Sequence, residues 1–190
     1  MSLEVVQYGH PALRQKGVRI EKITPEIKKL IADMFQTMYA AKGVGLAAQQ
    51  VGRPLQLTVL DVRGVTDRPS TLEREGKASE PASFMPLVLI NPEIKPTGEP
   101  ATGGEGCLSF PEIFAEITRP ESVTVKGLNG KGKPVEFRCG GLLARVVQHE
   151  ADHLNGILFI DRMDRKTKEE LRPQLDELQA ATKAELQKAQ

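Results

Sequence analysis

The sequence predicts an α+β fold, and three observations carry that expectation. Several short runs rich in Val, Ile, Leu and Thr are separated by turn signals. A helical stretch, apolar in its first half, follows the last of these runs near residue 142. A long amphipathic helical pattern then occupies the C-terminal end of the sequence.

The elements follow in chain order. Thr24 suits an N-cap and Pro25 the first helical position, so a helix starts there. Ile27, Leu30, Ile31, Met34 and Met38 continue it at helical spacing, and Gly43 is expected to end it as a left-handed cap. Gln56 to Val62 reads as a strand, as do Leu87 to Ile94, Ser122 to Leu128 and Val135 to Arg138. Asn129-Gly130 marks a hairpin between the last two. Gly64 to Ser83 is polar and carries Pro69 and Pro81; it is expected to be a long, mobile surface loop. A second helix runs from Leu142 to about Asn155, where Gly156 can terminate it. A third covers Thr167 to Lys188, with Thr167 and Glu170 at capping-box spacing. Leu171, Leu175, Leu178 and Leu186 give it one apolar stripe, and Pro173 kinks it or marks its true start. These elements are assigned to a single domain over 1–165 and a C-terminal helical extension over 166–190.

Composition narrows the class of function. The chain has 190 residues, enough for one domain with its own core. Its 26 Lys+Arg against 25 Asp+Glu leave a charge of +1, so sequence-specific nucleic-acid binding is not expected. The N-terminal residues lack an apolar signal core, and the longest apolar runs fall far short of the roughly 18 residues of a membrane span. Two cysteines make no disulfide framework. A protein of the cytoplasm fits, or of an organelle if a targeting segment has been trimmed.

Histidine is scarce, with three in all, and two of them stand four residues apart in His149-Glu150-Ala151-Asp152-His153. On a helix such residues share a face about 6 Å apart along the axis, so two imidazoles converge on one cation. Glu150 then lies beside the open side of the metal, where a base takes a proton from water. Three His and 18 Glu would supply this pattern by chance with a probability of roughly 0.004. A third protein ligand is expected. The donors available are Cys107, in Gly103-Gly104-Glu105-Gly106-Cys107-Leu108-Ser109, and Glu169, Glu170 or Glu177 on the charged tail. Cys107 is preferred because a thiolate is a strong ligand and glycines let backbone approach a site closely. His10 and Cys139 are assigned structural roles. Gly43 to Gly52 suits either a helix cap and turn or backbone open to pairing with an extended ligand, with Gln49 or Gln50 as amide donor.

Three segments, Gly43 to Gln50, Glu105 to Ser109 and Gln148 to Gly156, resemble in order and spacing the Gly-x-Gly-Leu-Ala-Ala-x-Gln, Glu-Gly-Cys-Leu-Ser and Gln-His-Glu-x-Asp-His-Leu-x-Gly motifs of the peptide deformylase family. The resemblance spans about residues 3 to 165. It implies short, mostly antiparallel sheets around a central helix bearing the His-Glu-x-x-His motif, with an N-terminal and a C-terminal helix. It implies a metal-dependent hydrolase that removes the N-formyl group from the initiator methionine of new polypeptides and releases formate. Cys107, His149 and His153 become the metal ligands, and Glu150 the general base. Gln50, rather than Gln49, faces the metal and joins the Leu108 backbone N–H as oxyanion donor. Gly45 pairs with the peptide backbone. Val44, Glu105, Gly106, Leu142 and Val146 surround the substrate. The donor set suits Fe²⁺, Zn²⁺, Ni²⁺ or Co²⁺, and the resemblance favours Fe²⁺. Gln148 is expected to support the ligands, and Arg119 to pair with Asp152. The partners implied are formyl-methionyl nascent peptides, met transiently at the ribosome by a monomer. Two departures stand out: the 64–83 segment is long, and Phe114 occupies a place where some relatives carry a basic substrate-contacting residue. Rival readings are a His-Glu-x-x-His endopeptidase with a distal Glu ligand, and a structural zinc module completed by Cys139 or His10.

Overall fold

The computed structural model describes residues 2–189. Its order is α1 (Pro25–Ala40), β1 (Gly45–Ala47), β2 (Leu57–Leu60), β3 (Ser70–Arg74), β4 (Lys77–Ser79), β5 (Leu87–Cys107), β6 (Phe110–Leu128), β7 (Pro134–Gly140), α2 (Gly141–Leu154) and α3 (Arg165–Lys188), with short 3₁₀ turns between. The fold is α+β. Seven strands form one antiparallel sheet in the order β1-β2-β5-β6-β7-β3-β4.

Thr24 caps α1, accepting a hydrogen bond from the Ile27 amide at 3.3 Å, with Pro25 opening the helix. The left-handed residue at the other end is Lys42 (φ 56°), not Gly43. The Gly43 amide closes the cap by donating to the Met38 carbonyl at 2.9 Å. Gly43 serves by lacking a side chain, since a Cβ there would meet Leu108 Cδ1 at 2.8 Å.

The 64–83 segment is irregular over 64–69 but is not a loop throughout. Ser70–Arg74 and Lys77–Ser79 form a hairpin that extends the sheet beyond β7, with Leu72 opposite Cys139. Glu75 (φ 52°) and Gly76 (φ 72°) make the two-residue turn that such hairpins favour. A polar strand is compatible with an outer position, where one face meets water. Only the partner strand, remote in sequence, reveals it. Strands β5 and β6 are far longer than the segments read as strands, because their Gly- and Pro-rich outer halves still pair with each other across three irregularities. The Asn129-Gly130 hairpin does form, closed by the Asn129 side chain accepting from the Lys131 and Lys133 amides.

Three packed clusters surround the centre. Leu142, Leu143, Val146 and Val147 of α2 meet Leu87, Leu89, Val123, Val125 and Phe137. Met34 and Met38 of α1 meet Leu46, Leu57 and Val59. Leu175, with Leu171 and Leu178, brings α3 onto Phe110, Ile113, Ile117 and Phe159. Each fully buried side chain of this kind contributes about 1.5–3 kcal/mol. The N-cap of α3 is Asp164, which accepts from the Thr167 amide at 2.7 Å, so Thr167 is already helical. Pro173 lies inside this helix. No helix among the described residues is long and apolar enough to cross a membrane.

Candidate metal centre

Helix α2 runs through the middle of the molecule, and twelve of its side chains are buried. It delivers His149 and His153 to one point, with ring centroids 5.0 Å apart. Cys107 reaches the same point from the last position of β5, just before the two-residue turn into β6. Its Sγ lies 3.3 Å from His153 Nε2. The donor atoms of Cys107, His149 and His153 all lie within 4.8 Å of one another. Tetrahedral ligands at 2.0–2.3 Å from a zinc-sized cation stand about 3.5 Å apart, so the trio fits one such ion after small adjustments. Glu169, Glu170 and Glu177 are exposed on α3, and neither Cys139 nor His10 joins the cluster. Cys139 is buried in β7 with its thiol pushed up to about 12 by burial. His10 caps a 3₁₀ turn, its Nδ1 accepting from the Ala12 amide.

Electrostatics at the cluster also fit a cation. Burial by itself disfavours a charged imidazole, and it holds His153 well below the usual range. At His149 burial is outweighed by Cys107 and Glu105, which hold that ring well above it. A cation bound there would displace that proton, since a ligating imidazole is neutral. Burial pushes the Glu150 carboxyl up to about 7. Glu150 Oε2 and His153 Nδ1 are buried without a hydrogen-bond partner.

Neighbouring residues fix these groups. Gln50 donates to Cys107 Sγ at 3.4 Å and to Ser109 Oγ at 3.3 Å, and its carbonyl accepts from the Ala47 amide at 2.9 Å. Gln49, also buried, points instead toward the Gln15 carbonyl. Gly45 sits against the base: a Cβ there would lie 2.4 Å from Glu150 Oε1.

The expected Arg119–Asp152 pair is present at 2.9 Å, and it belongs to a larger network. Arg119 Nε donates to Glu105 at 2.7 Å, Glu105 lies 3.7 Å from His149 Nδ1, and Arg162 also grips Asp152. Burial would raise the Glu105 carboxyl, but His149 and Arg119 hold it below its usual range. Glu105 borders the cleft, and its carboxylate is turned onto Arg119 and toward His149 Nδ1. Gln148 does not reach the ligands. Its amide donates to the Pro120 and Ala144 carbonyls and stitches α2 to β6. No short-range pattern pointed to Glu105 in this role; its place two residues before Cys107 was the one usable signal.

A cleft of about 450 Å³ opens over the cluster. Val44, Gly45, Gln50, Glu105, Gly106, Cys107, Leu108, Leu142, Val146, His149 and Glu150, each singled out from sequence, all border it, and His153 is buried next to His149. Arg68, Arg145, Phe110 and Glu112 also border it and were not foreseen there. Arg145 is spent on the Ala101, Gly103 and Ile117 carbonyls.

The profile of the polypeptide deformylase family matches residues 2–169. A protein named peptide deformylase from Opitutus terrae is 44% identical over 186 residues, covering 97% of this chain and 96% of its own. A variant of Arabidopsis thaliana peptide deformylase 1B superposes with a TM-score of 0.82 at 36% identity, over 97% of this chain and 94% of that one. A peptide deformylase from Synechococcus elongatus, solved in complex with actinonin, gives a TM-score of 0.75 at 38% identity, over 95% of this chain and 85% of that one.

Proposed function

The chain belongs to the polypeptide deformylase family, and we propose that Cys107, His149 and His153 hold the single metal ion with which it removes N-formyl groups from newly made polypeptides. The observation that carries this assignment is the convergence of one cysteine sulfur and two imidazoles beside a cleft whose lining also holds a buried carboxyl. When bound, a divalent cation supplies Lewis acidity, lowering the pKa of a coordinated water from 15.7 toward about 7.

The chain's own residues do the rest. The Gly45 backbone pairs with the peptide as an added strand. Val44, Leu142 and Val146 take the methionine side chain. Glu150 accepts a proton from the attacking water, whose oxygen adds to the formyl carbon. The Gln50 amide and the Leu108 N–H donate to the carbonyl oxygen as it gains charge. Glu150 then passes the proton to the departing nitrogen, the C–N bond breaks, and formate and a free amino terminus leave. The buried position of Glu150 suits both halves of this cycle, because a carboxyl near 7 accepts and returns a proton readily.

The test is formate release from a formyl-Met peptide by the metal-replete, anaerobic protein. Glu150→Ala is expected to lower kcat by about 10²- to 10⁴-fold with metal content unchanged. Failure of the unsubstituted protein to release formate would refute the assignment, as would full activity of Glu150→Ala.

Fe²⁺ is proposed as the working ion, with Zn²⁺, Ni²⁺ and Co²⁺ accepted by the same donors; elemental analysis of anaerobically purified protein decides this. The near-neutral charge permits brief contact with the ribosome, and the protein is proposed to work as a cytoplasmic or organellar monomer. The packing of Leu175 supports residues 166–190 as an extension docked on a catalytic unit spanning 1–165.

A further inference from the structure

The segment from Leu3 to Gly9 is tied at both ends and touches the metal centre's supports in its middle. The Leu3 amide donates to Thr37 Oγ1 on α1 at 2.8 Å. At the other end Gly9 (φ 109°) passes so close to α3 that a Cβ there would lie 2.9 Å from the Gln179 carbonyl oxygen. Between these anchors, Val6, Gln7 and Tyr8 reach both elements that carry the oxyanion donors. The Val6 amide donates to the Gln50 carbonyl at 2.8 Å, and the Tyr8 amide to the Ser109 carbonyl at 2.9 Å. The Gln7 side chain donates to the Leu108 carbonyl at 3.4 Å and is braced on the Val5 carbonyl at 3.0 Å. The Tyr8 ring stacks on Phe110, with centroids 4.9 Å apart.

These bonds close a ring. Gln50 Nε2 donates to Ser109 Oγ at 3.3 Å, the Ser109 carbonyl accepts from Tyr8, and Val6 donates back to Gln50. Gln50 sits on the 3₁₀ turn Ala48–Val51, and Leu108 on the turn between β5 and β6. No local geometry fixes the spacing of two groups so far apart in the chain. We infer that Val6, Gln7 and Tyr8 form a positioning strap that fixes the Gln50 amide against the Leu108 N–H, so that both donors are aligned before charge develops on the formyl oxygen. The inference rests on the deformylase reading of Gln50 and Leu108. Preorganised donors act without reorganising at the moment of reaction, and that advantage goes when one of them drifts. A misplacement of about 1 Å at a reacting centre costs about 100-fold. Because the oxygen gains charge only toward the transition state, the loss falls on kcat and leaves KM nearly unchanged.

The test compares Gln7→Met and Val6→Pro with the unsubstituted, metal-replete protein on a formyl-Met peptide. Gln7→Met keeps an unbranched side chain and removes the donor; Val6→Pro removes the amide that holds Gln50. kcat is expected to fall about fivefold in the first and about 10- to 100-fold in the second, with KM within about twofold and metal content unchanged. Arg14→Ala is the control, since it loosens the chain beyond the strap by removing the ion pair with Asp161. It should lower the melting temperature and leave kcat alone. Where Val6→Pro does not fold, Gln7→Met decides. Unchanged kcat in Gln7→Met would overturn the inference, as would a rise in KM at constant kcat, loss of metal, or an equal fall of kcat in Arg14→Ala. Each of these results leaves the deformylase reading standing, because the unsubstituted protein still releases formate. No formate from the unsubstituted protein would overturn that reading and this inference with it.

Discussion

Helices α2 and α3 make opposite use of charge. α2 has 14 residues and buries twelve, including Arg145, Gln148, His149, Glu150, Asp152 and His153. α3 has 24 residues and buries two, Leu175 and Thr182. On α3 the ion pairs are local, as in Arg165–Glu169 at 2.9 Å, with side chains 92% and 51% exposed. On α2 each polar group either meets a partner from a distant strand or is held without one. The same residue types are thus solvated decoration on one helix and chemistry on the other. What differs is the cost of leaving water: ionised groups removed from it either find partners or change their protonation.

Asp152→Ala tests that difference most severely. Removing it strips Arg119 and Arg162 of a shared carboxylate, and about 3 kcal/mol of stability is expected to go, together with weaker metal retention. Chemical denaturation and metal analysis check this; a loss below about 0.5 kcal/mol would put the pair in the same class as those of α3. Gly45→Ala comes next. The added methyl displaces the Glu150 carboxylate, so kcat should fall about 100-fold while the metal stays bound. The pH dependence of the metal-free protein is a third test. Glu150 titrates at about 7 in the fold against an ordinary 4.5, so the folded state prefers the protonated form. That preference is fully expressed below pH 4.5 and is lost as pH rises through 7, a change of about 3 kcal/mol. Against Glu150→Gln, the metal-free protein should therefore lose melting temperature across this window; parallel profiles would show that burial does not perturb the carboxyl. The smallest effect belongs to α3. Arg165→Ala should cost less than about 0.5 kcal/mol in urea denaturation, and a larger loss would erase the contrast between the helices.

The metal motif was legible because both of its requirements are local. Helical spacing brings His149 and His153 to one face, and a flanking carboxylate completes the pattern wherever the helix sits. The cap of α1 was legible for the same reason, since Thr24 and Pro25 act within one turn. Errors arose where local patterns tied. Gly43 was the natural left-handed residue, yet Lys42 takes that conformation and Gly43 yields space to Leu108. Thr167 and Asp164 both suit an N-cap, and the backbone enters the helix at Asp164. The 70–79 hairpin was invisible because its pairing partner, β7, lies some 60 residues away and its own composition is polar. Glu105 borders the cleft as its place along the chain implies, while the pairing of its carboxylate with Arg119 depends on a strand 14 residues away.

Sequence alone determined the chemistry available to this protein: one cysteine sulfur, two imidazoles and a carboxyl in motifs whose spacing is set by helix and turn geometry. Tertiary structure decided how that chemistry is tuned. It carried Cys107 to within 3.3 Å of His153 across 46 positions of chain, and removed Glu150 from water until its carboxyl rose to about 7. It also clamped His149 through Glu105 and Arg119. The physical reason is that spacing along a helix is fixed by covalent geometry, whereas desolvation and ion pairing depend on which distant surfaces the core brings together.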